Sequence, residues 1–370
     1  MRHVLIFLKK ILKKKIYIKI PKKSALILYG NETQELFIKS KYKNKYIVID
    51  KNKLNLYILF LCFIKLEFKN EDYYKNYIKI LDPKLIVTIF DNDSLFYRLK
   101  KNFLKKIFIS VQNGYRFPSE ISFFKDLQKF KKVNAIDYYF VFNKNYGKLI
   151  KKYIKCKTIV HGSFRSNNVK ILKKEKKNDF LFISQYSINK EFNSSYIKEV
   201  KKIFLFLNKF CKNKRKKLLV LMKHVKNSKG YHEEKNFYKS LILFKFKFFE
   251  RKNSSTRAIY TFLDNAKLVL GIDSTASYEA LARKNKSIMF HNRRIKNKNI
   301  SIGWPQRKKK YNLIVPKSLN AVYLKKFFDN ALSISDEKWH SNQSYAVKEL
   351  IEYNKKNKMF FKYVDNILKN

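Results

Sequence analysis

Residues 267–293 read KLVLGIDSTASYEALARKNKSIMFHNR, a strand, a tight turn, a helix and a second strand. Leu268, Val269, Leu270, Gly271 and Ile272 form a short apolar run of buried-strand type. Asp273, Ser274 and Thr275 then offer three N-cap side chains in succession. Ala276 to Arg283 favour a helix, and Ser287 to Phe290 resume an extended apolar run. A strand that feeds a helix leaves free N–H groups and a partial positive charge at the helix start, which favours anions. The two hydroxyls of the turn add donors for a phosphate. Glu279, one helical turn beyond Thr275, lies on the same face, where it can accept from a sugar or ribose hydroxyl. Taken alone, the stretch reads as readily as a capped helix with a solvated glutamate.

Working outward, strand and helix alternate along the whole chain. Strands are expected at 24–29, 45–50, 85–90, 106–111, 137–143 and 157–160, with helices over 54–80, 94–101 and 146–154. Asp82-Pro83 marks a turn. Residues 165–179 form a polar, Lys-rich connection, after which the alternation restarts. Strands are expected at 179–184, 218–222 and 244–249, and helices at 195–211, 255–265, 319–333 and 343–369. Such alternation predicts parallel sheets with crossover helices. The expected architecture is α/β, two Rossmann-like domains facing a central cleft. The first domain spans 1–165, a linker 166–178, the second domain 179–335, and a C-terminal helical segment 336–370 returns to the first. The linker composition also predicts a hinge at 165–179 that closes on a ligand.

Ligands in open α/β sheets gather at the carboxyl ends of strands. That rule selects Asp91 in TIFDND, Gln112 and Asn113 before Gly114, and His161-Gly162-Ser163 in the first half. In the second half it selects Ser184-Gln185 and Lys223-His224. A cation and an imidazole at a strand end suit diphosphate binding or proton transfer to a leaving oxygen. Each has a plain alternative: Gln-Asn-Gly is also an ordinary turn, and a lysine is common in this chain. Asp91-Asn92-Asp93 reads as a strand-end turn and not as a metal site. Trp304, in Gly303-Trp304-Pro305, would stack on the apolar face of a sugar.

GIDSTASYEALARKNK resembles the donor-site strand–helix turn of GT-B type transferases. ISVQNGYR, TIFDND and the Gly-Trp-Pro tripeptide add to a resemblance to the transferases of bacterial surface-carbohydrate biosynthesis (O-antigen, lipopolysaccharide and capsule). The resemblance covers most of the chain from about residue 28. It implies a glycosyltransferase that moves a sugar from a nucleotide-sugar donor to a lipid-linked or glycan acceptor, without a cofactor or a bound metal. In that reading Asp273, Ser274, Thr275 and Glu279 hold the donor with Ser184, Gln185, Lys223, His224 and Trp304. Gln112, Asn113, His161 and Asp91 are the candidates for the reaction centre. The chain departs from the pattern after Trp304, where Gln306-Arg307-Lys308-Lys309-Lys310 follows, and Lys223-His224 lacks the proline of polyol-phosphate transferases. A nucleotide-sugar epimerase, a polyol-phosphate transferase or a non-catalytic membrane-associated scaffold of the same architecture are the alternatives.

Composition sets the remaining bounds. The 370 residues carry 84 Lys and Arg against 28 Asp and Glu, a formal charge of +56, and only 11 of the basic residues are Arg. Scattered lysine, with abundant Ile, Asn, Tyr and Phe, is the profile of an AT-rich genome, so no nucleic-acid partner is expected. Walker A, GxSxG, zinc and GxGxxG elements are not found. Three dispersed cysteines indicate a reducing compartment. The longest apolar run, Leu54 to Leu66, is too short to span a bilayer. Residues 1–23 alternate apolar pairs with lysine clusters and read either as a basic segment lying on an anionic membrane or as a first strand and helix. A cytoplasmic protein, peripheral on the inner face of the membrane through residues 1–20, is the expectation.

Overall fold

The structure, a computed structural model, describes residues 14–115, 121–172, 178–251, 257–272, 274–290, 293–294, 301–302 and 311–369. Asp273, Trp304 with its flanking Gly303 and Pro305, residues 1–13 and linker residues 173–177 lie outside the described residues. The chain divides into two compact units, Met1–Phe164 with Asn357–Asn370, and Arg165–Lys356.

Six strands build the main sheet of the first unit: β1 Leu26–Tyr29, β2 Ile47–Ile49, β3 Leu85–Thr88, β4 Ile107–Val111, β5 Ala135–Val141 and β6 Lys155–Val160. They form one parallel sheet in the order β2-β1-β3-β4-β5-β6. Its central strands β1, β3 and β4 are nearly unbroken apolar runs because both faces are covered, whereas the edge strand β6 is only partly buried. Ile27, Tyr29, Ile86 and Phe108 face the helices α1 Leu56–Ile64, α2 Asn70–Leu81 and α3 Ser94–Leu99. Leu26, Leu28, Val87, Ile109 and Phe140 face the last helix of the chain, which contributes Phe360 and Val364. Two further helices, α4 Ile121–Lys129 and α5 Lys144–Ile150, complete the crossovers. Helix α2 stops where expected: Asp82 takes a left-handed conformation and Pro83 cannot continue the helix.

Five strands build the main sheet of the second unit: β7 Asn178–Ile183, β8 Leu218–Val225, β9 Phe246–Arg251, β10 Ala266–Gly271 and β11 Ser287–Met289. Their order is β9-β8-β7-β10-β11, all parallel. The helices are α6 Lys190–Asn213, α7 Tyr231–Leu241, α8 Arg257–Asp264, α9 Thr275–Ala282, α10 Ala321–Ser333 and α11 Asp336–Leu350, and α12 Lys358–Lys369 closes the chain. Phe180, Phe182, Val220 and Leu268 pack under α6, α7 and α10. Leu181, Ile183, Leu219 and Val269 pack under α8 and α9.

The fold is thus α/β with parallel sheets, as the alternation predicts. Two local expectations change. The helix expected over 343–369 is two helices, broken at residues 351–357, where Lys356 and Asn357 have positive φ. The first of the pair belongs to the second unit and the last to the first unit. Helices α4 and α7 are additional: the Lys- and Tyr-rich residues around them hide the apolar stripe that would mark them.

Candidate functional site

In the second sheet β7 connects to β8 on one side, while the chain returns to β10 on the other, so the winding reverses between β7 and β10. The crevice outside such a reversal is where open α/β sheets bind ligands. Register places Gly271 beside Ile183, and Ile183 beside Leu221. Ser184-Gln185, Ile272, Ser274-Thr275 and Lys223-His224 therefore lie at one end of three adjacent strands.

Ser274 is the N-cap of α9, with extended backbone, yet its side chain makes no capping hydrogen bond. It is 4% exposed. Thr275 opens the helix. One turn along, the Ser277 hydroxyl is buried without a partner among the described residues. It lies against the backbone of Gly271, where an added Cβ would come within 2.1 Å of the hydroxyl oxygen. Glycine is needed there for this close approach. Leaving a buried hydroxyl unsatisfied costs about 1–3 kcal/mol, and this helix start combines a cap residue that makes no capping bond with a hydroxyl unpartnered among the described residues.

Glu279 is buried on the next turn of the same helix. The Tyr260 hydroxyl of α8 hydrogen-bonds its carboxylate, and burial together with the Glu279 charge pushes the tyrosine well above its ordinary range. Behind the helix sits a buried ion pair. Arg283 donates from Nε and Nη2 to the Asp264 carboxylate at 2.9 and 2.5 Å. Its remaining donors reach the carbonyls of Ser166, Val169 and Lys170 at 3.0–3.1 Å. Asp264 also accepts from Asn285 Nδ2 and the Leu172 N–H. All five guanidinium donors are used, which is the condition for a tolerable buried charge. This clamp fastens residues 166–172, the first part of the expected hinge, to the second unit.

Lys223 and His224 stand at the end of β8 because Glu234, fully buried on α7, accepts both of their backbone N–H groups at 2.9 and 2.8 Å. The Lys223 side chain is exposed and His224 is half-buried. His224 Nε2 has no hydrogen-bond partner among the described residues, and its ring lies edge-on to Tyr186. Ser184 is engaged elsewhere: its hydroxyl accepts from Tyr238 at 3.0 Å and from the Tyr186 N–H at 3.2 Å. Gln185 donates its N–H to Tyr196, which bonds Tyr238. The pair thus holds the loop, while the Gln185 side chain stays half-buried.

The first-unit candidates sit differently. Gln112 spans its own loop, with Oε1 accepting the Phe142 N–H at 2.7 Å and Nε2 donating to the Gly114 carbonyl. Asn113 is half-buried, its Oδ1 without a partner among the described residues. Asp91 is fully buried and accepts from Tyr139, while the Tyr97 hydroxyl takes its carbonyl. Asp93 caps α3 and pairs with Lys51 at 2.5 Å, so the DND tripeptide is a strand-end turn. His161, 1% exposed, is enclosed by the rings of Phe140, Phe164 and Phe360, and burial pushes its imidazole down to about 4. A reaction-centre candidate by loop position alone, it lies in the aromatic core of the first unit. Ser163 is likewise buried. The first unit also has a cavity of about 520 Å³ beside α2 and α3, lined by Tyr29, Lys51, Tyr74, Asp93, Arg98 and Asp126 among others.

Glu234, Ser277, Arg283 and Asp264 escape sequence reasoning. Glu-Glu-Lys in the first turn of a helix reads as a solvated face, and Ala-Arg-Lys at a helix end as an ordinary basic C-terminus.

Residues 109–368, well over half of the chain, match the model of a family described as putative O-antigen biosynthesis protein. Among solved structures, a putative UDP-N-acetylglucosamine 2-epimerase from Listeria monocytogenes is similar at 11% identity and a TM-score of 0.58, over 94% of this chain and 98% of that one. The UDP-GlcNAc 2-epimerase of Methanocaldococcus jannaschii, in complex with UDP-GlcNAc and UDP, is similar at 15% identity and a TM-score of 0.55, over 93% and 99% of the two chains. A sucrose-phosphate synthase from Thermosynechococcus elongatus gives 9% identity and a TM-score of 0.53, over 94% and 100%. At these identities the likeness speaks for the fold, that of GT-B type transferases and epimerases. No curated protein is similar in sequence.

Proposed function

The chain belongs to this family of O-antigen biosynthesis proteins, and we propose that within it the protein is a glycosyltransferase using a nucleotide-activated sugar. One observation carries the reading: at the strand-order reversal of the second sheet, Ser274 caps nothing and Ser277 has no partner among the described residues, both at a helix start. The free N–H groups and helix dipole there receive the donor diphosphate. Lys223, exposed at the end of β8, two strands from β10, supplies positive charge as the leaving group accumulates negative charge. Glu279 meets a ribose or sugar hydroxyl. In the reaction an acceptor hydroxyl attacks the anomeric carbon, the bond from that carbon to the phosphate oxygen breaks, and the nucleoside diphosphate departs. In this reading His224, beside Lys223 on the same strand end, shares a proton with that oxygen. The acceptor is received by the first unit, on the strand end that carries Asn113.

A thermal-shift panel of nucleoside diphosphates and nucleotide-sugars, followed by product analysis with and without a glycan or lipid-linked acceptor, tests the reading. Stabilisation by a nucleoside diphosphate and acceptor-dependent release of that nucleotide are the expected results. Conversion of the sugar with no acceptor present replaces the transferase by an epimerase. Silence across the panel removes the donor site.

A further inference from the structure

Helix α1, LYILFLCFI over residues 56–64, is apolar all round, and such a helix is normally enclosed on every side. Here one side alone is. Ile58, Leu59 and Cys62 are buried in the first unit's core. Leu56, Phe60, Phe63 and Ile64, spaced i, i+4, i+7, i+8, make the opposite stripe and are 41–62% exposed, and Leu66 just beyond is 78% exposed. A second exposed apolar row lies alongside. The strand Lys15–Tyr17 pairs in parallel with Lys53–Asn55, the residues that lead into α1, and Asn55 Nδ2 donates to the Lys19 carbonyl at 2.7 Å. Tyr17 turns inward to bond Tyr77 of α2. Ile16, Ile18 and Ile20 alternate with it and are 51%, 81% and 69% exposed.

The charges around these rows are mainly positive. Lys15, Lys19, Lys22, Lys23, Lys53 and Lys65 are exposed, and residues 14–25 and 51–66 contain neither Asp nor Glu. Asp82 and Asp50 lie 3.9 and 3.7 Å from Lys23 and Lys53, and Glu67, next in the chain after Leu66, interacts with Lys65. We propose that this face docks the protein on an anionic lipid bilayer, with the isoleucine, leucine and phenylalanine side chains entering the acyl boundary and the lysines meeting lipid phosphates. Nine residues cannot cross a bilayer, so α1 lies along its surface. A second copy of this chain fits the face worse, because six lysines would meet six lysines. The sequence reading places membrane contact on residues 1–20; the structure adds α1, which contributes the exposed Phe60 and Phe63 to the face. The face is independent of what the second unit binds.

Sedimentation of the full-length protein with vesicles of phosphatidylglycerol and phosphatidylcholine, and with phosphatidylcholine alone, tests the proposal. The Phe60→Glu/Ile64→Glu variant alters two side chains that point into solvent, so its melting temperature should hold while binding to the anionic vesicles falls at least tenfold. Leu205→Glu/Val322→Glu, which charges exposed apolar residues of the second unit, 67% and 68% exposed, serves as control and should bind like the parent. Unchanged sedimentation of the α1 variant overturns the proposal, as does a variant that changes only the oligomeric state, or equal binding to neutral vesicles. If the α1 variant melts early, Phe60→Trp with brominated lipids decides: added fluorescence quenched by the lipid supports docking, and added fluorescence left unquenched overturns it.

Discussion

Both sheets reverse their winding once, and the two reversals are furnished differently. In the first unit the reversal falls between β1 and β3. Gly30 there has φ +91°, and the Phe90 ring occupies the place any Cβ would take, 2.1 Å away. Lys51 lies 4.9 Å from the centre of that ring and pairs with Asp93, which also accepts from Tyr29. Side chains of the protein thus hold the turn itself, while Tyr29, Lys51 and Asp93 also line the cavity of about 520 Å³ beside α2 and α3. In the second unit the reversal falls between β7 and β10, and the turn after β10 presents an uncapped Ser274 and an unpartnered Ser277 hydroxyl. The lesson is that position at a strand end nominates a residue, and only the state of its hydrogen bonds separates a loop brace from a ligand contact. Gln112, Asp91 and Ser184 are braces by that measure.

The largest effect is expected where the second unit's turn is braced from behind. Arg283→Met keeps much of the side-chain volume but strips the charge partner from Asp264, which is 2% exposed, and releases the carbonyls of residues 166–170. Removing one member of a buried pair costs about 3–5 kcal/mol. Thermal denaturation should register that loss, and nucleotide affinity should fall with it as α9 loses its support. A melting temperature within a degree of the parent's would show that the clamp holds nothing, and the contrast between the two turns would lose its structural basis.

Next in size is an acid effect confined to the first unit. Burial lowers the folded pKa of His161 to about 4, whereas an unfolded histidine titrates near 6.5. Between those values the unfolded chain takes up a proton that the folded chain refuses, so acidification favours unfolding. The contribution is fully present above about pH 6.5 and is lost as the pH falls toward 4, amounting to roughly 3 kcal/mol. His161→Phe, which suits a cage of Phe140, Phe164 and Phe360, should flatten this part of the stability profile and leave turnover intact. If turnover collapses while the fold persists, His161 is catalytic after all and the first unit's strand ends are as functional as the second's.

These cases also measure what the sequence discloses. The sheets are legible because strands buried on both faces read as unbroken apolar runs, and the turn at 272–275 is legible because three N-cap side chains follow such a run. The assignment of His161 by loop position ignores Phe164 and Phe360, the second nearly 200 residues away in the chain, and no local pattern encodes that cage. Glu234 is invisible for the same reason: its partners are two backbone N–H groups on another element. Among polar residues, the sequence says where they stand along the chain, while tertiary contacts decide whether they are used up.

Ser274→Ala probes the open turn directly. Because the hydroxyl caps no N–H group, its removal should change stability by less than the ~1 kcal/mol of an ordinary lost cap. A charge-assisted hydrogen bond to a diphosphate contributes about 1.5–3 kcal/mol, so nucleoside-diphosphate affinity, read by calorimetry, should weaken about tenfold or more. Gln112→Ala in the first unit should give the reverse pattern, lower stability through the abandoned Phe142 N–H and no change in nucleotide affinity. Two variants with the same pattern would erase the distinction between brace and ligand contact.

Glu279→Gln is expected to have the smallest effect, and it sharpens the comparison within the second unit. The carboxylate accepts from the buried Tyr260 hydroxyl. A glutamine oxygen can go on accepting that bond, and glutamine is as good a helix former as glutamate, so stability should move by less than about 1 kcal/mol. A hydroxyl of a bound ribose would find a neutral acceptor in place of a charged one. Bonds to charged partners are about twice as strong as neutral ones, so the nucleoside should bind a few-fold more weakly, while inorganic diphosphate, which has no such hydroxyl, should bind as before. Calorimetry with both ligands on this one variant separates the roles. If diphosphate weakens in step with the nucleotide, Glu279 acts by bracing α9 through Tyr260, and it joins Glu234 and Arg283 as scaffold behind the serine turn.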